Sequence, residues 1–142
     1  MVPQRAAQAY SQIGVETGVA AASPHRLIVM LYDGALDAIA QARASLAASR
    51  RDEKGRALSR AIGIIDEGLR GCLDPAAGGE IASHLAELYA YMCRRLLVAG
   101  ATNDDGALGE VAGLLAELRG AWVSIERAPA APTTANVHLA TA

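Results

Sequence analysis

Phenylalanine is absent from this 142-residue chain, and one tryptophan and four tyrosines are its only aromatic residues. A core filled by large rings is thereby excluded. Val, Thr and Tyr are too few and too scattered for the alternating pattern of a half-buried sheet. The charge excess is small, at −2, so no basic footprint for nucleic acid or anionic lipid is present. Lysine occurs once, at Lys54. The longest apolar run, Leu27 to Tyr32, falls far short of the roughly 20 residues of a membrane span. The first residues, MVPQRAAQAYSQIGVETG, contain no apolar stretch of signal-peptide length, and the expected location is the cytoplasm. Two cysteines, Cys72 and Cys93, make no disulfide framework. They fall near the ends of successive antiparallel helices, which predicts separated, buried, free thiols.

What is present is Ala, Leu and a helical period. Apolar residues make up 52% of the chain and charged residues 20%, enough for one packed domain without metal or disulfide. Four segments repeat apolar positions at steps of three and four. The first opens at Ser23-Pro24, an N-cap followed by a proline suited to the first helical position. Its seam is Ile28, Tyr32, Ala35, Ile39, Ala42 and Leu46, with an end expected near Arg50-Arg51. The second is expected to be capped by Asp52, with the seam Leu58, Ile62, Ile65, Leu69 and Cys72, and to stop at LDPAAGG. The third is expected from Glu80, with Ile81, Leu85, Leu88, Met92 and Leu96, and with Gly100 or Asn103 at its end. Asp104 or Asp105 caps the fourth, whose seam is Leu108, Val111, Leu115, Leu118, Trp122 and Ile125.

Short connections make successive helices antiparallel neighbours. The predicted fold is all-α, an antiparallel up-down-up-down four-helix bundle over residues 23–127. A short N-terminal arm, residues 1–22, precedes it, and an uncharged Pro-, Ala- and Thr-rich tail, residues 128–142, is expected to be disordered.

No phosphate-binding glycine loop and no nucleophile elbow occur. Asp33 and Asp37, one turn apart, read as a solvated face and not as a catalytic pair. Glu80, His84 and Glu87 share a face, but their spacing is wrong for the Glu-x-x-His ligands of a di-iron bundle. Neither catalytic residues nor a metal or cofactor site are assigned. Arg50-Arg51 and Arg94-Arg95 sit near helix C-termini, where the helix dipole accounts for them. Trp122, in step with Leu115, Leu118 and Ile125, reads as a core anchor.

The informative feature is surplus hydrophobicity. Leu27, Val29, Met30 and Leu31 flank the first seam, Ile64 the second, Tyr89, Tyr91 and Leu97 the third, and Leu114 the fourth. A second apolar surface that receives a partner helix accounts for them, with a generous core as the alternative. Tyr32, Tyr89 and Tyr91 favour the surface, since a tyrosine at a groove rim covers its ring and keeps its hydroxyl reachable.

The order and spacing of AYSQIGVETG, ASPHRLIVMLYDGAL, RAIGIIDEGLRGCLD, GGEIASHLAELYAYMCRRLLVAGATND and EVAGLLAELRGAW resemble the flagellin-specific export chaperone family, FliS, across nearly all of residues 9–125. Within these runs the distinctive parts are Tyr10, Ser23-Pro24, Leu31-Tyr32-Asp33-Gly34, Leu73-Asp74, Leu88-Tyr89, Tyr91-Met92 and Trp122. The resemblance implies a cytoplasmic bundle, without enzymatic activity, that binds the flagellin C-terminal segment one to one. It also implies a wrap of that segment around the bundle, delivery to the cytoplasmic domain of the flagellar export gate, and an N-terminal arm involved in docking. Partner binding is then expected at Tyr10, Ile13, Ile28, Tyr32, Ile64, Tyr89, Leu97 and Leu114, with the protein a monomer or weak homodimer. A self-associating structural or regulatory bundle without a client is the alternative, since the same apolar faces accept a second copy.

Overall fold

The computed structural model describes residues 23–127. They form four helices: α1 (Pro24–Ala47), α2 (Arg51–Gly63), α3 (Pro75–Thr102) and α4 (Asp105–Arg127). Among the described residues there is no strand, and the expected bundle is what forms. Each helix packs against the next, and α4 closes the ring against α1. Cross-helix pairs fix the directions. Arg43, late in α1, meets Asp105 at the start of α4, and Asp33, early in α1, meets Arg119 late in α4. Lys54, early in α2, reaches the carbonyl of Gly100, late in α3.

The helix starts follow local chemistry. Ser23 Oγ accepts the Arg26 N–H at 3.1 Å, satisfying one of the donors a helix start leaves open, and Pro24 follows at the first turn. Asp104 caps α4 through the Ala107 N–H at 3.1 Å. Asn103 ends α3 in the left-handed conformation, φ 55°, which its short polar side chain tolerates.

Three boundaries depart from the sequence reading. α1 stops at Ala47, because Ser49 turns the chain at φ 59° before Arg50. α2 then starts at Arg51, and Asp52 lies inside its first turn instead of capping it. α3 opens at Pro75, not Glu80. Asp74 caps this early turn by accepting from the Ala76 and Ala77 N–H groups, and Gly79, at φ 53°, kinks the chain before the long regular stretch.

The second helix also changes character. α2 runs on into a π-helical turn, Ile64–Leu69, and a 3-10 turn, Arg70–Cys72. Gly68 lies in the π turn against Leu31 of α1: a Cβ there would stand 2.9 Å from Leu31 Cδ2. A widened turn re-aims the following side chains, and Ile65 and Leu69 on either side of the glycine are both buried.

The core runs along the inner faces of all four helices. Ala35, Ala38, Ile39 and Ala42 of α1 meet Ala57, Leu58 and Ala61 of α2, Met92, Leu96 and Ala99 of α3, and Leu108, Val111 and Leu115 of α4. Alanines at so many contact positions let the backbones approach closely. Apart from the hydroxyls of Tyr32 and Tyr89, no charged or polar side chain is buried among the described residues.

Candidate partner-binding surface

Of the eight residues expected to bind a partner, Tyr10 and Ile13 lie outside the described residues, as do the arm and tail. The remaining six are not one groove. Ile28 stands one turn before Tyr32 on the inner face of α1, half-buried at the open end of the core. Ile64, half-buried, lies one turn after Arg60, whose guanidinium reaches Gln41 of α1, so it borders the α1–α2 seam. Leu114, half-buried, lies one turn after Glu110, which pairs with Arg95 of α3 at 2.8 Å, so it borders the α3–α4 seam. Leu97 projects outward from α3 and is 62% exposed, with Val98 beside it at 47%. These two are the large apolar side chains that the fold leaves in water among the described residues.

Tyr32 and Tyr89 require a correction. Neither is at a rim with its hydroxyl reaching solvent. Both rings are buried, and their hydroxyls meet at 2.6 Å across α1 and α3. A phenol in the core must find a partner there, and each finds the other. Burial pushes the Tyr32 hydroxyl up to about 12 against the opposing hydrogen bonds of Tyr89 and Trp122. Burial, then the neighbouring Tyr32, pushes Tyr89 higher still. Both therefore stay protonated over the physiological range. Tyr91, by contrast, is a surface residue that donates to Glu110 at 2.5 Å.

Trp122 differs from expectation as well. It packs against the core but stays half-buried, at the open end near the start of α1. His25 covers part of it, with ring centroids 4.8 Å apart, and the His25 Nε2–H donates to the Trp122 carbonyl oxygen at 2.5 Å. Around this end Leu27, Ile28 and Met30 of α1, Ile81, Leu85 and Leu88 of α3, and Leu118 and Ile125 of α4 are all only half-buried. The seam period gave their direction correctly and their depth incorrectly.

The chemistry is that of a contact surface. Cys72 and Cys93 are free and half-buried. Burial first, then nearby Asp66, pushes the Cys93 thiol up to about 11, with Arg70 opposing, which is the reverse of an activated thiolate. Cys93 Sγ instead sits 3.9 Å from the Ile62 carbonyl oxygen. Glu80, His84 and Glu87 are exposed, and among the described residues no group of three His, Cys, Asp or Glu side chains is placed to hold a metal. No described helix is long and apolar enough to cross a membrane.

Comparison with known proteins places the chain in a family. The flagellar secretion chaperone FliS of Salmonella typhimurium is 52% identical over 118 residues, 83% of this chain and 87% of the relative. FliSB of Pseudomonas aeruginosa is 43% identical over 125 residues, 88% and 98% of the two chains. FliS of Bacillus subtilis is 35% identical over 122 residues, 86% of each. These relatives are named as secretion chaperones and none as an enzyme. The family described as "Flagellar protein FliS" matches residues 6–129, and with relatives this similar over most of its length the chain belongs to the FliS family of flagellar secretion chaperones.

Proposed function

We propose that this chaperone binds the C-terminal helical segment of flagellin, one to one, in the cytoplasm. It keeps that segment from driving premature polymerisation and brings it to the cytoplasmic domain of the flagellar export gate. The observation that carries the reading is the scatter of uncovered apolar side chains. Leu97 and Val98 face water on α3, Leu114 and Ile64 border different seams, and Ile28 lies at the open end. A single short helix cannot touch all of them. A long segment that wraps the bundle in an extended, partly helical path can. Such a client orders on binding and gives back part of the interaction energy as lost chain entropy, which suits a client that must later be released.

Tyr10 and Ile13 of the arm belong to the same surface in this reading. Tyr32 and Tyr89 belong to it indirectly, as the pair that fixes the α1–α3 spacing behind it. Light scattering of the protein alone and with a flagellin C-terminal segment tests the reading. The expected result is a monomer, or a weak dimer that dissociates, giving a one-to-one complex. Self-association that the flagellin segment leaves unchanged contradicts it and identifies a bundle whose apolar faces serve its own copies.

A further inference from the structure

Away from the Trp122 end, the end of α1, the start of α2 and Asn103, the residue that caps α3, line a small, half-open cavity of about 160 Å³. It is lined by Ser45, Leu46, Ser49, Arg50, Arg51, Lys54 and Asn103. Three of these are cations, and none of the lining residues is acidic. The cations are only weakly paired. The Lys54 ammonium is held by two neutral oxygens, the Gly100 carbonyl at 3.0 Å and Asn103 Oδ1 at 2.5 Å, which fix its position without neutralising it. Arg50 meets Glu53 only at 3.5 Å, with both side chains largely in water, and such a pair contributes little. Arg51 has no ion-pair partner among the described residues.

Two of the nearby carboxylates are engaged elsewhere. Asp105 is paired with Arg43 at 2.8 Å and Asp104 caps α4. Asp52 lines the neighbouring depression, on the other side of Arg51, with Gly55, Arg56 and Ser59. Ser45 and Ser49 add hydroxyls that make no hydrogen bond among the described residues. A fixed ammonium, two guanidinium groups and two free hydroxyls around one small cavity form a receptor for carboxylate oxygens, with bidentate pairing available to each arginine. The overall charge of −2 makes this local concentration of positive charge a feature of the site and not of the chain.

We propose that this cavity is a second docking site, for an acidic protein segment that inserts an Asp or Glu side chain. It is independent of the client surface: the two differ in chemistry, apolar against cationic, and the inference stands whether or not flagellin is the client.

Amide chemical shifts of the full chain, titrated with a blocked tetra-aspartate peptide, test it. Residues 45–54 and Asn103 should shift together and saturate, with affinity falling as salt is raised. The same peptide made of asparagine should leave them unmoved. Arg51→Glu, an exposed change that leaves the melting temperature in place, should weaken the aspartate peptide about tenfold or more, the loss expected for a charge-assisted hydrogen bond turned into repulsion. Four outcomes overturn the proposal: no saturable shift at these residues, equal response to the asparagine peptide, unaltered affinity in Arg51→Glu, or inorganic phosphate binding there as tightly as the peptide. The last would make the cavity a free-anion site and not a docking site for protein.

Discussion

The two ends of the bundle use different side chains and reach different degrees of closure. At the end formed by late α1, early α2, late α3 and early α4, the contacts are largely alanine on alanine or leucine: Ala38, Ala42, Ala57, Ala61, Ala99 and Ala107 with Leu58, Leu96, Leu108 and Val111. All of these are buried. At the other end the side chains are larger, yet Ile28, Leu85, Leu88, Leu118 and Trp122 are packed against the core without being enclosed. Small residues let helices approach until the apolar contacts between them are closed, whereas the bulkier ones at the other end remain only partly enclosed. The tight end accounts for stability, and the open end and the outer face of α3 leave apolar area free for a partner.

Substitutions break this comparison in order of size. Leu115→Ala, in the closed core, should destabilise by about 2–5 kcal/mol, read as a lower urea midpoint at unchanged slope. Trp122→Ala, at the open end, should fall below the roughly 3–5 kcal/mol of an enclosed large aromatic, because its ring is only partly enclosed. A cost at or above that range would place Trp122 inside the core after all. Tyr89→Phe removes the hydroxyl that meets Tyr32 and leaves the buried Tyr32 hydroxyl with Trp122 alone, at a cost of about 1 kcal/mol. Replacing both tyrosines with phenylalanine should recover most of that loss. Equal damage from the single and double variants would mean that the two hydroxyls are not paired.

Alkali probes the same pair without mutation. The Tyr32 hydroxyl is held up at about 12, so the folded state favours the protonated phenol. Its contribution is fully present below the ordinary tyrosine value near 10 and is lost as pH rises through about 12. Phenolate absorbance should therefore lag behind free tyrosine and then rise together with unfolding. A full, early titration of every tyrosine with the bundle intact contradicts the burial of both rings.

The helix count, the antiparallel order and the caps at Ser23 and Asp104 were legible because each rests on a local rule: a period, a capping side chain, a proline at a first turn. The π turn was not. Ile62, Ile65 and Leu69 read as an ordinary seam, and Gly68, inside a helical run, was the one sign that α1 comes close there. The depth of Trp122, Tyr32 and Tyr89 escapes the sequence for a related reason. Periodicity reports the direction of a side chain and is silent on depth and on which polar atoms meet across the bundle. The Arg50-Arg51 doublet was read as compensation for a helix dipole. Only the turn at Ser49 brings it round to Lys54 and Asn103.

The central claim is that Leu97 and its uncovered neighbours bind the client while the closed core holds the fold. Calorimetry with a flagellin C-terminal segment on Leu97→Ser, beside a urea melt of the same variant, tests it most directly. At 62% exposure, Leu97 should change stability by no more than about 0.5 kcal/mol, yet affinity should fall roughly tenfold if its side chain is buried against the client. Unchanged affinity in a stably folded Leu97→Ser protein, or a loss of binding only in step with a loss of stability, would contradict the account.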